Sequence, residues 1–338
     1  MIRVAINGFG RIGRRVFRLI LERPDMQVVA INDIADAKTL AHLLKYDSIH
    51  GIIKHRIEHD NNHIIVDGLN IPLHNENHPK NINWKANQVD FVVESSGKFK
   101  TKTDLQYHLN NGAKHVILSV PSIDDSIQTI VLGVNDHLLT GEETIVSNAS
   151  CTTNNAAPMI AVIDQLCGVE QAYITTVHSY TTDQSLHDQP HKDLRRARAA
   201  GQSIVPTTTG AAKALTKIFP KLSDVIGGCG IRVPVPNGSL TDITFNVSKT
   251  VSIQDINNAF KEASQTYLTG ILEYTEDPIV SIDIVGNTHS CIFDALMTSV
   301  IGNMVKIVGW YDNETGYSTR ILEIICNLSD KSPLLSNK

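Results

Sequence analysis

Ile6-Asn-Gly-Phe-Gly-Arg-Ile-Gly13 is the stretch that most limits what this chain can fold into. It follows at once on a short apolar run, Arg3-Val-Ala-Ile-Asn7, and leads into a helical pattern carrying Val16, Phe17, Leu19, Ile20 and Leu21. Three glycines at this spacing between a strand and a helix have separate tasks. Gly8 allows the tight turn, Gly10 lets backbone approach a pyrophosphate, and Gly13 lets helix and strand pack closely, with the helix N-terminus facing the phosphates. A second run, Gln27-Val-Val-Ala-Ile-Asn-Asp33, ends in an acid at the distance where a carboxylate meets an adenosine ribose. Such an Asp accepts hydrogen bonds from the ribose and repels a 2′-phosphate, so the pattern predicts NAD in preference to NADP. A purely structural glycine turn with a helix-capping Asp accounts for fewer of these features.

The following segments extend the same architecture. Asp36 is placed to cap a helix carrying Leu40, Leu43 and Leu44. Residues 52–74 read as a β-meander with turns at Asn61-Asn62 and Asp67-Gly68. Val89–Glu94 is a buried strand ending in Ser95-Ser96-Gly97, then a helix stops near Gly112, and His115–Val120 is a further strand. Strand ends at Gly97 and Ser119 lie where a doubly wound sheet places its ligand, and each alone reads equally well as an ordinary strand-to-helix turn. From about residue 151 the strands lengthen and alternate: Ile231–Pro236, Leu240–Val247, Val280–Ile284 and Val305–Tyr311. Helices fall between Thr209 and Phe219 and between Gln254 and Gln265, and a last one runs from Glu314 to about Leu328. The prediction is an α/β cofactor domain followed by an α+β domain with a mainly antiparallel sheet. Repeats, low-complexity tracts and flexible linkers are absent from the sequence.

The chemistry concentrates at Ser147-Asn-Ala-Ser-Cys-Thr-Thr-Asn154. A strand, Glu143–Ser147, runs into small polar residues, and a helical pattern with Ala157, Met159, Ile160, Ile163 and Leu166 follows. Cys151 therefore sits at or near a helix N-terminus, whose N–H groups and dipole are expected to lower the thiol pKa. A free Cys is often only a small buried hydrophobe. Here the flanks are small and polar, and His178 stands where another strand, Gln171–Val177, runs out into polar sequence. A Cys after one strand and a His after another is how a nucleophile and its base converge from distant parts of a chain.

Global properties narrow the class. At 338 residues and a net charge of −5, nothing recruits nucleic acid or an acidic membrane. A strand beginning at Ile2 leaves no room for a signal peptide, and no apolar run reaches the length of a membrane span. Five scattered cysteines in a chain this size read as reduced thiols of a cytoplasmic protein, with Cys167, Cys229, Cys291 and Cys326 structural. No metal site is predicted.

Taken together, these stretches resemble the phosphorylating glyceraldehyde-3-phosphate dehydrogenases over essentially the whole chain. Beyond the glycine turn, the carrying pieces are Leu44–Gly51, Ala149–Asn154, His191–Arg198, Thr209–Lys213, Arg232–Pro234 and Trp310–Glu314. The resemblance implies a Rossmann cofactor domain over 1–150, completed by a C-terminal helix over 315–338, and a catalytic domain over 151–314. It implies a homotetramer acting on glyceraldehyde 3-phosphate with inorganic phosphate. Cys151 would be the nucleophile and His178 its base. Gly8, Gly10, Arg11, Ile12, Gly13, Asp33, Ser119 and Asn313 would meet NAD, with Asn313 on the nicotinamide carboxamide. Ser150, Thr152, Thr209, Gly210 and Arg196 would take inorganic phosphate; Thr181 and Arg232 would hold the substrate phosphate. Independently, Gly210 follows three threonines and opens a helix, a good anion site, and phosphate recognition favours hydroxyls and bidentate Arg. Lys192 and Arg195 read as a solvated basic face.

Three positions depart from the family pattern. Asn155 replaces a frequent second Cys, which removes oxidative cross-linking to Cys151. Gln189 stands where many strictly NAD-dependent members carry Leu, and Asn77 replaces a frequent Arg beside the adenine. The nearest alternative is erythrose-4-phosphate dehydrogenase. Those relatives generally lack the Thr209-Gly210 stretch and the threonine at position 181, both kept here. An aspartate-semialdehyde-type enzyme would need a carboxylate clamp. A non-catalytic protein, for instance one binding RNA in the cofactor groove, is disfavoured by the intact Cys151 and His178.

Overall fold

The computed structural model describes residues 1–335. The chain forms two compact units: one holds residues 1–130, 136–149 and the chain from Ser318 onward, the other residues 131–135 and 150–317.

In the first unit β1 (Ile2–Asn7) leads through the glycine turn into α1 (Arg11–Leu21), followed by β2 (Met26–Asn32) and α2 (Ala37–Lys45). Asp36 caps α2, accepting from the Thr39 N–H at 2.8 Å. A short ladder of β3 (Tyr46–Asp47) and β4 (Gly51–Ile52) precedes the meander β5 (Ile57–His59), β6 (His63–Val66) and β7 (Leu69–His74). Then come β8 (Phe91–Glu94), α3 (Lys102–Asn110), β9 (His115–Leu118), β10 (Gln128–Thr129) and β11 (Ile145–Ser147). The strands form one sheet in the order β10-β11-β9-β8-β1-β2-β7-β6-β5. Pairing is parallel from β10 to β7 and antiparallel through the meander. A parallel sheet buried on both faces requires near-continuous apolar strands, and Val4, Ala5, Ile6, Phe91, Val92, Val93, Val116, Ile117 and Leu118 are fully buried. The strand order reverses at β1 and β8, whose last residues Asn7 and Glu94 face each other. That switch point is where such sheets open a crevice for ligand.

In the second unit α4 (Cys151–Cys167) and β12 (Val169–Ser179) are followed by β13 (Val205–Thr207), α5 (Ala211–Ile218), β14 (Ile226–Val233) and β15 (Ser239–Val247). α6 (Ile253–Gln265), β16 (Leu272–Thr275), β17 (Cys291–Asp294), β18 (Ser299–Ile301) and β19 (Met304–Tyr311) complete it. α7 (Thr315–Lys331) follows β19 and from Ser318 onward belongs to the first unit; the helix expected over 315–338 ends at Lys331, and residues 336–338 lie outside the described residues. The sheet runs β13-β14-β12-β15-β19-β17-β16, with β18 on β19. It is mostly antiparallel, but β12–β14 and β16–β17 are parallel. The buried face of α4, with Met159, Ile160 and Ile163, lies against β15, β17 and β19.

Two strand expectations need correction. Residues 280–284 are a turn, not a strand. The Val280 N–H is taken by Asp283 Oδ2 at 2.7 Å, and Val280 and Ile282 are exposed, so the apolar residues never meet a partner strand. The strand expected at Ile231–Pro236 is β14, shifted toward the N-terminus by its glycines. A Cβ on Gly228 would stand 2.8 Å from the Ile174 carbonyl oxygen of β12, so the close pairing of these strands excludes side chains there.

Candidate active site

In the first unit the glycine turn has the geometry its spacing predicts. Gly8 has φ +92°, and a Cβ there would collide with the Ser96 backbone. A Cβ on Gly13 would strike the Gly8 carbonyl, whereas Gly10 opens onto free space. Gly10 is also the N-cap of α1 and puts no side-chain cap over the helix start, the end of a helix that favours an anion. Asp33 is aimed by two backbone donors, Phe9 N–H at 2.7 Å and Ala35 N–H at 3.0 Å. A cavity of about 210 Å³ opens here, lined by Gly8, Gly10, Asp33, Asn77, Lys98 and Phe99 among others. These features fit a dinucleotide with its pyrophosphate at α1 and its ribose at Asp33.

The other predicted cofactor residues have the following settings. The Arg11 guanidinium is bidentate to Asp47, at 2.7 and 3.2 Å, which directs the side chain to that carboxylate. Burial acts against the Asp47 anion, but the N–H groups of His50 and Ile49 and the Arg11 charge outweigh it and hold its pKa to about 2. Ile12 and Gly13 lie within α1, and Ser119 is buried at the end of β9. Asn313, in the second unit, accepts from the Ser179 and Ser239 hydroxyls at 3.0 Å each through Oδ1, which leaves Nδ2 as its donor. A larger groove of about 620 Å³ between α2 and β5, lined by Lys38, His42, Lys45, Tyr46 and His59, holds none of the predicted residues.

In the second unit Cys151 is the first residue of α4. Ser150 caps that helix, its Oγ accepting from the Thr153 N–H at 3.1 Å. Ala149, just before, takes φ +53°, a conformation that costs a non-glycine residue about 1–2 kcal/mol. Cys151 Sγ lies 3.4 Å from His178 Nε2. The parallel register of β12 and β14 makes His178 and Arg232 direct partners. His178 Nδ1 meets the Ser179 carbonyl at 2.7 Å and Arg232 Nη1 at 2.7 Å. The carbonyl calls for a proton on Nδ1, leaving Nε2 free to accept from the thiol; Arg232 favours the opposite tautomer.

The electrostatics differ from the expectation of a simple fall in the thiol pKa. Burial pushes the Cys151 thiol up, opposed by the Arg232 charge and by the N–H and hydroxyl of Thr152. Burial and Arg232 together pull His178 down to about 3, against the Ser179 carbonyl and Asp183. Burial thus penalises a lone charge on either residue. Moving the proton from Sγ to Nε2 creates two adjacent opposite charges, whose mutual attraction offsets part of that penalty.

Of the predicted phosphate residues, Thr152 is buried with its hydroxyl on Tyr311 at 2.9 Å, and Tyr311 also meets Thr176 at 2.9 Å. Thr209 Oγ1 accepts from the Ala211 N–H at 3.2 Å, and Gly210 precedes α5 with no side-chain cap. Thr181 and Arg196 are joined by a residue that the sequence reading missed. The Thr181 hydroxyl donates to Asp183, and Arg196 donates to the same carboxylate at 2.6 Å. Asp183 also acts electrostatically on Arg232, raising its pKa against the effect of burial. Its sequence signal, an acid two residues after a threonine, is too common to single out. Asn155 is fully buried and donates to the Trp310 carbonyl at 3.2 Å, a structural role in place of a second thiol.

Comparison with known proteins gives a consistent result. Residues 2–102 match the family model described as glyceraldehyde 3-phosphate dehydrogenase, NAD binding domain, and residues 150–313 match the C-terminal domain of the same family. A relative from Streptomyces avermitilis, glyceraldehyde-3-phosphate dehydrogenase 2, is 52% identical over 326 residues, 96% of this chain and 97% of the relative. The glyceraldehyde-3-phosphate dehydrogenase of Geobacillus stearothermophilus is 49% identical over 98% of this chain and 99% of its own length. That of Thermotoga maritima is 51% identical over 96% of this chain and 98% of its own length.

Proposed function

This chain belongs to the glyceraldehyde-3-phosphate dehydrogenase family, and we propose how its own residues carry out the NAD-dependent oxidative phosphorylation of glyceraldehyde 3-phosphate. The observation that carries the assignment is Cys151 Sγ, at the start of α4, 3.4 Å from His178 Nε2. His178 takes the thiol proton, and the thiolate attacks the aldehyde carbon. His178 passes that proton on to the former carbonyl oxygen, and the adduct is a hemithioacetal on Cys151. His178 then removes the hydroxyl proton, and its cation stabilises the developing oxyanion. Bound NAD supplies the hydride acceptor for this oxidation. The product is a Cys151 thioester, which splits one hard step into two easier ones. An oxygen of inorganic phosphate attacks the thioester carbon, the C–S bond breaks, and 1,3-bisphosphoglycerate leaves with the thiolate restored.

Arg232 and Thr181 are assigned to the substrate phosphate; Arg196, Ser150, Thr152, Thr209 and Gly210 to the inorganic one. Thr181 and Thr209-Gly210 support the triose over erythrose 4-phosphate. The cofactor is held by the α1 N-terminus and Asp33, with Asn313 Nδ2 donating to the carboxamide. The family likeness also supports a cytoplasmic homotetramer; among the described residues no helix is long and apolar enough to cross a membrane.

The test is a burst experiment with saturating NAD. Truncating either arginine to Ala removes charge-assisted hydrogen bonds worth about 1.5–3 kcal/mol, roughly a tenfold to hundredfold loss. Arg232→Ala should slow the NADH burst with the phosphorylated aldehyde more than with glyceraldehyde. Arg196→Ala should keep the burst and raise the phosphate concentration needed for turnover. Identical responses of acylation and phosphate dependence refute the two-site assignment, and turnover without phosphate refutes the phosphorylating mechanism.

A further inference from the structure

Behind the cofactor crevice lies a buried polar network that no step of the reaction uses. Glu94, at the end of β8, is 1% exposed. Its Oε1 accepts from the Ser96 N–H at 2.9 Å and the Ser96 hydroxyl at 2.5 Å. Its Oε2 accepts from Asn7 Nδ2 and from His108 Nε2, the latter at 3.0 Å. Four donors on two oxygens is the full capacity of an ionised carboxylate. His108 is also fully buried, and its Nδ1 accepts from the Trp84 indole N–H at 2.9 Å. The indole is a donor only, so His108 is the neutral tautomer with its proton on Nε2, facing Glu94.

The network continues into both walls of the crevice. Asn7 Oδ1 accepts from Asn32 Nδ2 at 2.7 Å, and that same Nδ2 donates to the Glu76 carbonyl at 3.0 Å. Asn32 Oδ1 accepts from the Glu76 N–H at 2.9 Å, fixing the segment of Glu76 and Asn77. On the other side, the Ser96 hydroxyl accepts from the Lys98 N–H at 3.2 Å. Asn7, Asn32, Glu76, Ser96 and Lys98 all line the cavity of about 210 Å³. Each amide has one allowed orientation, because each neighbour dictates which end donates.

We infer that Glu94 is the positioning residue of the NAD site: it never touches the cofactor, but its four accepted hydrogen bonds set the spacing of the two crevice walls. The inference rests on the NAD reading of that crevice. A glutamine in place of Glu94 is not a conservative change, because its amide nitrogen must face either the two Ser96 donors or the Asn7 and His108 donors. One wall is then released.

Calorimetric titration of the full chain with NAD, well below its unfolding temperature, tests this. Glu94→Gln should raise the NAD Kd about tenfold to hundredfold, with kcat at saturating NAD within about twofold. Adding Asn7→Asp supplies an acceptor for the introduced amide nitrogen and for Asn32, and should recover part of the lost affinity. A merely stabilising role would lower the unfolding temperature and leave the Kd of the folded protein unchanged. An unchanged Kd, or a loss that Asn7→Asp does not reduce, overturns the inference. Should Glu94→Gln not fold, His108→Phe removes one of the four donors without touching the lining and should raise Kd about threefold to tenfold. An unchanged Kd there also overturns it. If the parent chain itself fails to bind NAD, the cofactor reading has failed instead.

Discussion

Replacing Arg232 by Gln separates the effect of charge from that of hydrogen bonding at the Cys151–His178 pair. The guanidinium lies 2.7 Å from His178 Nδ1 and lowers the pKa of both His178 and Cys151. The sign follows from Coulomb's law: a positive charge favours thiolate over thiol and imidazole over imidazolium. Gln keeps a donor and much of the volume but removes the charge, so both pKa values should rise. A unit charge at ~4 Å in an effective dielectric of ~20 contributes about 4 kcal/mol, which at about 1.36 kcal/mol per unit caps the shift near three pH units. Water admitted beside the shorter side chain screens part of the remaining field, leaving an expected rise of about one unit or more. The assay is alkylation of Cys151 by iodoacetamide across about pH 5 to 10, with Cys151→Ser as the background for the other thiols. The reagent is neutral and needs no phosphate site, so lost substrate binding does not enter. The midpoint should move up, the rate near pH 7 should fall about tenfold, and the alkaline plateau should be kept. An unchanged or lowered midpoint would refute the claim that Arg232 sets the protonation of this pair.

Two further outcomes are expected. Asp33→Gly removes the carboxylate held by the Phe9 and Ala35 N–H groups, and should shift the ratio of kcat/KM for NAD over NADP toward NADP by about tenfold or more; an unchanged ratio refutes the ribose role. Tyr311→Phe leaves the buried Thr152 and Thr176 hydroxyls short of a partner and should lower stability to urea by about 1–3 kcal/mol; an unchanged unfolding midpoint would show that the hydroxyl network contributes nothing.

The parallel half of the fold was readable because its determinants are local. The glycines between β1 and α1, the acid at the end of β2, and the Asp36 cap each act within a few residues. The meander was equally plain, since its turns and alternation repeat at short range. What stayed hidden depends on partners far along the chain. β14 contains Gly227, Gly228 and Gly230 and reads as a loop until β12 is seen against it. Residues 280–284 carry the apolar character of a strand but meet no neighbour, and Asp283 folds them back on themselves. At the candidate site, the types of residue were legible but their mutual commitments were not. Nothing in the sequence says that Arg11 spends its guanidinium on Asp47, or that Asp183 comes between Thr181 and Arg196. The Glu94 network was equally silent, because a buried carboxylate fed by neutral donors has no spacing signature.

The ladder between β12 and β14 also sets a sequence of events in time. His178 and Arg232 lie 54 residues apart and meet only in one parallel register; a slip by one would set Ile231 or Val233 beside the imidazole. The intervening chain must be closed before that pairing is rewarded, so it belongs to the slow stages of assembly. The perch of Cys151 is different in kind, since Ser150 and Thr153 build it from adjacent residues. A newly made chain therefore acquires its nucleophile's helix start before it acquires the base and the charge that govern that nucleophile. Competence waits on that long-range pairing, and the chemistry of this enzyme is in that sense a product of the non-local part of its own folding.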